Sequence, residues 1–372
     1  MMFSREEKIA HINKSPESVA IHDKEKWLSI FSEYAIVEDP VGSKPHTTGL
    51  YDKKSRKRSN ANLSRFYETF IAPNTIVFDV KNDIVCKNHV VRDLTVNIDM
   101  QGVHVSVPMH LLYELVEEKG QLKIRRLAAH WELMPMMGLL MSEGLTALPV
   151  LTSMSARMMK HQGLSGAIGF TSGLGKLGNQ GKETVKRFLC AFNDKNQPSL
   201  SNLFCDGAVI RAPYGEIETT PSEIFSAMLG TLSFSKLLLA GNTVTTTFAY
   251  KTEGQRENKQ GVAIFEFDSD SKKINHLNFY YELREPNMSK VDAVKKCELG
   301  NVLITGGAGF VGQNFIRTLL DSGYKVRSLD LVDTPIKHKN LKVIRDVEKI
   351  VYPISGKLNY NGSIKNTSHI TL

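Results

Sequence analysis

Two stretches of this 372-residue chain carry residue types at spacings that chemistry can use. The first is Val37-Glu38-Asp39-Pro40-Val41-Gly42-Ser43. Tyr34-Ala35-Ile36-Val37 reads as a strand that ends in the acidic pair. Pro40 cannot donate a ladder hydrogen bond, and Gly42 permits a tight turn. Asp39 thus stands where a strand breaks into a loop, a place from which a carboxylate can face a cavity and move a proton. On spacing alone an Asx turn is the simpler account of the same residues. The second is Thr305-Gly306-Gly307-Ala308-Gly309-Phe310-Val311-Gly312, which follows the short apolar strand Asn301-Val302-Leu303-Ile304. A helix from Gln313 through Asp321, a cap at Gly323 and a strand Lys325–Leu329 lead to Asp330, 18 residues beyond Gly312. This is the dinucleotide fingerprint with its parts in register. Gly306 and Gly309 allow the turn and close approach to a pyrophosphate, Gly312 lets helix lie on strand, and Asp330 is placed for a ribose 2′-hydroxyl.

The elements that must position Asp39 precede and follow it. Ser4-Arg5-Glu6-Glu7 predicts a capped helix through about Asn13, and Pro16 predicts a restart into a second short helix before Asp23. Trp27, Ile30 and Phe31 share one side of the next short helix. After a charged insertion at 51–60, a helix carries Leu63, Phe66, Tyr67 and Phe70 on one face. Ile76–Val80, Val90–Met100, Val103–Val116 and Leu122–Trp131 then read as four strands. Helices followed by a curved antiparallel sheet make an α+β cone, with Asp39, His110 and Trp131 expected at its open mouth.

The first third of the chain, roughly, closely resembles a known family. Glu38-Asp39-Pro40-Val41-Gly42-Ser43-x-Pro45, Ser64-Arg65-Phe66-Tyr67-Glu68, Val107-Pro108-Met109-His110 and Ala129-His130-Trp131-Glu132 are similar to segments of the Δ5-3-ketosteroid isomerases, in the NTF2-like (SnoaL-like) superfamily. In that family an Asp takes a proton from C4 of the steroid and returns it at C6, while a Tyr and a protonated Asp hold the dienolate oxygen. The resemblance implies Asp39 as the base. The family's Tyr position falls near Ser15 and its acidic donor on His110, so the oxyanion pair is altered. His110 is expected either as the replacement donor or as a satisfied core histidine, with Ser15, Tyr67 and Trp131 lining or bracing the pocket.

Beyond Glu132 the composition changes. Glu143 is the only charge before Arg157, and methionines crowd the stretch. Pro135, Gly138, Gly144 and Pro149 interrupt it, so it is expected to pack over a pocket or between domains, with a peripheral membrane contact as the second reading. The Gly/Ser-rich run from Gly163 to Gly178 reads as a linker. A repeat follows, in which Phe204-x-x-x-Ala208-Val209-Ile210-x-Ala212-Pro213-x-Gly215 matches Phe31-x-x-x-Ala35-Ile36-Val37-x-Asp39-Pro40-x-Gly42 at an offset of 173. Ala212 cannot move a proton, so this second NTF2-like copy is read as structural, packed sheet to sheet against the first as the partner in a homodimer would be.

The glycine-rich segment, with Thr305 and G-x-x-G-x-x-G spacing, resembles the extended short-chain dehydrogenases, including the 3β-hydroxysteroid dehydrogenase group. This implies NAD binding. That family's proton-transfer pair is Tyr-x-x-x-Lys, and no Tyr here has a Lys four places on. Only 42 residues follow Asp330, so an incomplete Rossmann βαβ unit without dehydrogenase activity of its own is expected. The organisation is then an isomerase-like cone at 1–132, the Met-rich segment and linker at 133–178, a degenerate cone at 179–286, a linker at 287–299, the Rossmann unit at 300–346 and an irregular tail at 347–372.

A net charge of +8, with much of the local excess in Lys53–Arg58, points to no nucleic-acid partner, since no basic helix interleaves with aromatics. Four scattered cysteines without CxxC spacing indicate neither zinc nor a disulfide framework. The N-terminus lacks the pattern of a secretory signal, and a cytoplasmic location is the default, with membrane association as the variant. The leading function is a steroid Δ-isomerase, needing no cofactor, in a dehydrogenase/isomerase type of fusion whose first activity yields the Δ5-3-ketone. The alternatives are a non-catalytic lipid-binding or dimerising module, and an NAD-dependent oxidoreductase in a longer parent protein.

Overall fold

The computed structural model describes residues 3–52, 57–171, 177–252, 259–283, 301–321, 324–330, 332–344 and 367–371. The linker expected at 287–299 and most of the run Lys53–Arg58 and of the tail lie outside them. The chain forms two units, Met1–Leu283 and Arg284–Leu372.

In the first unit, α1 (Arg5–Ala20) opens on a full capping box between Ser4 and Glu7. It is one helix, not two. Pro16 sits inside it, and burial of Ile12, Ser15, Ser18 and Val19 offsets the lost backbone bond. After α2 (Lys24–Ser29), β1 (Phe31–Glu38) leads through β2 (His46–Thr47) and the small ribbon β3 (Leu50–Asp52) and β4 (Lys57–Ser59). Next come α3 (Ala61–Phe66) and a π-turn over Tyr67–Ile71. Four long strands follow: β5 (Thr75–Cys86), β6 (His89–Met100), β7 (Val103–Glu118) and β8 (Gln121–His130). The sheet order is β2-β1-β8-β7-β6-β5, with β1 parallel to β8 and the rest antiparallel. Its inner face buries Trp27, Phe31, Leu63 and Phe66 from the helical side against Val105, Val107, Met109 and Leu111.

The Met-rich segment forms α4 (Leu133–Ser142) and α5 (Ala147–Thr171). The Gly/Ser-rich run is therefore helical through Thr171, with a break at Gly163, whose φ of 67° suits only glycine well. Residues 172–176 lie outside the described ones.

The second copy repeats the topology. α6 (Asn179–Asn193), α7 (Gln197–Ser201), β9 (Phe204–Arg211), β10 (Glu218–Thr219), α8 (Ile224–Ala227), β11 (Thr231–Ala240), β12 (Thr243–Lys251), β13 (Lys259–Phe267) and β14 (Ile274–Tyr280) give a sheet ordered β10-β9-β14-β13-β12-β11. Its cone is filled. Phe188, Phe204, Phe248, Phe265 and Phe279 are buried and in ring contact there. The two sheets meet back to back through Val91, Leu112, Ala128, Val262, Ile264 and Tyr280.

Polar groups cross this interface in pairs. The Lys236 ammonium donates to Asp93 Oδ1 (2.5 Å), Leu94 O (2.5 Å) and Met109 O (2.9 Å), one acceptor for each proton. Thr247 Oγ1 donates to Asp93 Oδ2 at 2.7 Å. Against the loop after β1, Gly241 at φ 57° approaches so closely that a Cβ would lie 2.8 Å from the Gly42 Cα. The second copy thus buttresses the loop that carries Asp39.

The C-terminal unit is a parallel sheet ordered β17-β16-β15-β18, built from β15 (Asn301–Thr305), β16 (Lys325–Leu329), β17 (Leu341–Ile344) and β18 (Thr367–Thr371), with α9 (Phe310–Asp321). β18 corrects the expectation of an irregular tail, since its pairing with β15 joins residues some sixty positions apart.

Removing one partner of the interface ion pair strands the other. Asp93→Ala is expected to lower unfolding free energy by about 3–5 kcal/mol, read from urea denaturation. A loss below about 1 kcal/mol would show that water already reaches Lys236.

Candidate active site

The cavity lies inside the first cone and has a volume of about 150 Å³. Its walls are almost wholly apolar. α1 contributes Ser15 and Val19, and the turn after α3 contributes Phe70 and Ile71. The long strands add Val96, Val107, Met109, Leu111 and Leu127, and α4 and α5 close over it with Met136 and Met154. The Met-rich segment therefore packs over a pocket, as its composition predicts.

Asp39 enters this cavity from the end of β1. Val41 N–H donates to Ala129 O at 2.9 Å, and Ser43 Oγ donates to Pro40 O at 2.7 Å, which fixes the loop. Trp131 Nε1 donates to Asp39 Oδ1 at 2.5 Å. Burial pushes the Asp39 carboxyl up to about 6, against the smaller opposing pull of the Trp131 N–H. Its neighbour Glu38 points to the other side and binds Arg126, which also holds Glu114.

Ser15 lines the cavity and accepts the Trp27 Nε1–H at 3.1 Å. Tyr67 stands behind the wall, its ring 5.5 Å from that of Trp27 and its hydroxyl buried without a hydrogen-bond partner among the described residues. Trp131 lines the cavity and braces Asp39.

His110 is elsewhere, and the expectation of an oxyanion donor there is corrected. On β7 the odd residues Val107, Met109, Leu111 and Tyr113 face the cone, so His110 faces the second copy. Its Nδ1 meets Thr245 Oγ1 at 2.7 Å and its Nε2 meets Thr247 Oγ1 at 2.9 Å. Thr247 already donates to Asp93, so Nε2–H donates to Thr247 and Nδ1 accepts from Thr245, by hydrogen-bond assignment. Burial, then the Lys236 charge, holds this imidazole well below its usual range. It is the satisfied core histidine of the two readings.

The residue that sequence reasoning missed is Tyr113. Its side chain is buried and lines the cavity with Asp39. Burial pushes its hydroxyl up to about 12, so it remains a phenol with a proton to donate. The signal was the period of β7: counting in twos from Val107 reaches Tyr113.

In the second copy Ala212 occupies the Asp39 position, and Phe279 stands where Ala129 stands, since Tyr214 N–H donates to Phe279 O as Val41 N–H does to Ala129 O. Phe279 fills the space that Ala129 leaves open.

In the C-terminal unit Gly306 adopts φ 73°. A Cβ on Gly307 would lie 2.0 Å from Ser328 Oγ, and one on Gly312 2.2 Å from Gly306 O. Asp330 Oδ2 accepts the Ala308 N–H at 2.8 Å, which brings the acid to the glycine turn. Phe310 and Val311 open α9, with side chains outside the described residues. The glycine cradle and Asp330 fit the diphosphate and ribose of NAD. Among the described residues no group of three or more His, Cys, Asp or Glu converges as a metal site.

Residues 302–361 match the NAD dependent epimerase/dehydratase family. A "3 beta-hydroxysteroid dehydrogenase/Delta 5-->4-isomerase" of Mycobacterium tuberculosis is 51% identical over 55 residues, 14% of this chain and 15% of that protein. A "3-beta-hydroxysteroid dehydrogenase" of Mycolicibacterium neoaurum is 51% identical over 45 residues, 12% of each. The chain thus spans about one seventh of the length of these curated relatives, or less. Among solved structures, the Δ5-3-ketosteroid isomerase from Mycobacterium sp. is 23% identical, with a TM-score of 0.28, over 34% of this chain and 94% of that one.

The raised Asp39 carboxyl makes a stability prediction. Folding moves it from 3.8 to about 6, so the native state favours the protonated form. That contribution is whole below 3.8 and is lost as pH rises through about 6. Asp39→Asn should therefore be more stable than wild type near pH 7, by up to about 3 kcal/mol, and equal to it near pH 3 in urea unfolding. No gain near pH 7 would place the carboxylate in water.

Proposed function

We propose that the first cone is a steroid Δ-isomerase-like site, which shifts a double bond into conjugation with a ketone on a flat hydrophobic substrate. The observation that carries this is Asp39, a carboxylate held by one indole N–H inside a cavity with apolar walls. With its pKa near 6, Asp39 is ionised at neutral pH, yet its conjugate acid can still give the proton up. Asp39 takes a proton from the carbon between the ketone and the double bond. The electron pair passes into a dienolate, whose oxygen accepts a hydrogen bond from the Tyr113 phenol. The same proton returns from Asp39 at the far end of the old double bond. The net reaction moves one proton and needs no cofactor. Trp131 orients the carboxylate, and Ser15 offers a further hydroxyl on the cavity wall.

The C-terminal glycine turn supports NAD binding, and a bound NAD would supply hydride chemistry. The steroid dehydrogenase/isomerase relatives support placing both parts in one fusion, where oxidation of a 3β-hydroxyl yields the ketone that the cone uses. The contact between the two copies is made within this chain, and that back-to-back packing supports an intramolecular pair in place of a homodimer.

The test is isomerisation of a Δ5-3-ketosteroid by the purified chain, followed as growth of enone absorbance. Asp39→Asn is expected to lose at least about 10³-fold in kcat, and Tyr113→Phe about 10²–10³-fold. A wild-type rate no greater than that of buffer would sink the proposal and leave a binding cavity.

Trp131→Phe removes the hydrogen bond that favours the ionised form, so the acid limb of the kcat/KM profile should move above about pH 6. An unmoved limb would mean that the indole only packs.

A further inference from the structure

α4 and α5 carry apolar side chains on two sides. Met136, Leu140, Ala147 and Val150 are buried toward the cone. On the outside, Met134, Leu139, Met141, Leu145, Leu148 and Met159 are exposed. Leu145, at 83%, is the most exposed large apolar side chain among the described residues, and Met141 follows its neighbours at 65%. Six such residues in one short stretch exceed the scattered exposure that an ordinary surface carries.

The shape and the charge of this region narrow what covers it. Leu133–Ser142 and Gly144–His161 meet at 113°, and Met141, Leu145 and Leu148 surround the corner. Glu143 is the single carboxylate at this corner, and no Asp or Glu follows until Glu183. Exposed Lys160 and half-buried Arg157 lie on α5 without a carboxylate partner among the described residues, and Arg157 Nε is buried without a hydrogen-bond partner among them. No single helix among the described residues is long and apolar enough to cross a membrane. α4, with ten residues, reaches only about 15 Å, half of a hydrocarbon core. By length and composition Leu133–Ser142 and Gly144–His161 together reach what a span needs, but the 113° bend between them makes a projecting corner of the pair, and such a corner can enter one leaflet.

We propose that the α4–α5 corner docks on an anionic lipid surface. Met141, Leu145 and Leu148 enter the acyl boundary, and Arg157 and Lys160 sit among the phosphates. A second copy of the chain is the competing occupant. It fits less well, because a projecting corner offers no flat face and two-fold pairing would bring the same unpaired cations together.

The experiment is flotation of the purified full chain with vesicles of phosphatidylcholine alone or mixed with phosphatidylglycerol, beside sedimentation velocity without lipid. The chain is expected to float with the anionic vesicles and less with the neutral ones, and to be released by high salt. The combined change Met141→Ser, Leu145→Ser and Leu148→Ser should weaken binding at least about tenfold with Tm unchanged. Arg157→Gln with Lys160→Gln should abolish the preference for anionic vesicles. Three outcomes overturn the proposal: no flotation with either vesicle, undiminished binding by the triple serine variant, or a lipid-free dimer that this variant disperses. No readout involves turnover, so the result is independent of the role of Asp39.

Discussion

A strand shows each face of its sheet only every second side chain, and on β7 this constraint decides the whole site. Met109, Leu111 and Tyr113 go to the cavity, while His110 and Leu112 go to the second copy. From Met109 to Tyr113 both faces of β7 are covered and every residue is buried, whereas Val103–Pro108 alternates buried and exposed side chains. A register shift by one residue would bring the His110 imidazole into the cone and drive Tyr113 into the interface. The paired rows Asp93–His110–His130 and Thr247–Val262–Tyr280 fix the register against that slip, because the Asp93 and His110 side chains find hydrogen-bond partners on the second copy.

The cavity that results sets one favourable contact against many unfavourable ones. A carboxylate in water has a full hydration shell, and Asp39 keeps one short indole N–H in its place. Desolvation wins, which is why its pKa rises despite the hydrogen bond. Glu38, one residue earlier, has Arg126 directly on it. Two adjacent acids on one strand thus meet opposite environments, one facing the cavity and the other a guanidinium. The strand period assigns them, and nothing about either side chain alone could.

What the sequence reveals follows from the range of the interaction. The strand break at Asp39, the offset of 173 between the copies and the glycine turn before α9 are local patterns, and all three are legible. So is the cone, because its helices and strands differ in hydrophobic period. Tyr113 and His110 were not, because their faces depend on which strand covers which side. Pro16 misleads because packing of Ile12 and Val19 overrides its local preference, and the run beyond Gly163 misleads because glycine and serine suggest a linker where the backbone is helical through Thr171. β18 escapes notice for the same reason, as its partner strand β15 lies far away in the sequence.

The two copies answer one packing problem in opposite ways. A cone closed on one side by a sheet must either fill its interior or leave a hole, and a hole forfeits contacts on every side chain that lines it. The second copy fills its cone with phenylalanines, including Phe279 at the place of Ala129. The first keeps Ala129 small and leaves the space beside Asp39 open. The stability lost there is offset where the copies meet, for the second copy places Gly241 against Gly42 and Ala240 beside Val41, directly behind the loop that aims the carboxylate. A cavity that costs stability can hold a defined shape only if its walls are supported from outside, and in this chain the filled copy is that support.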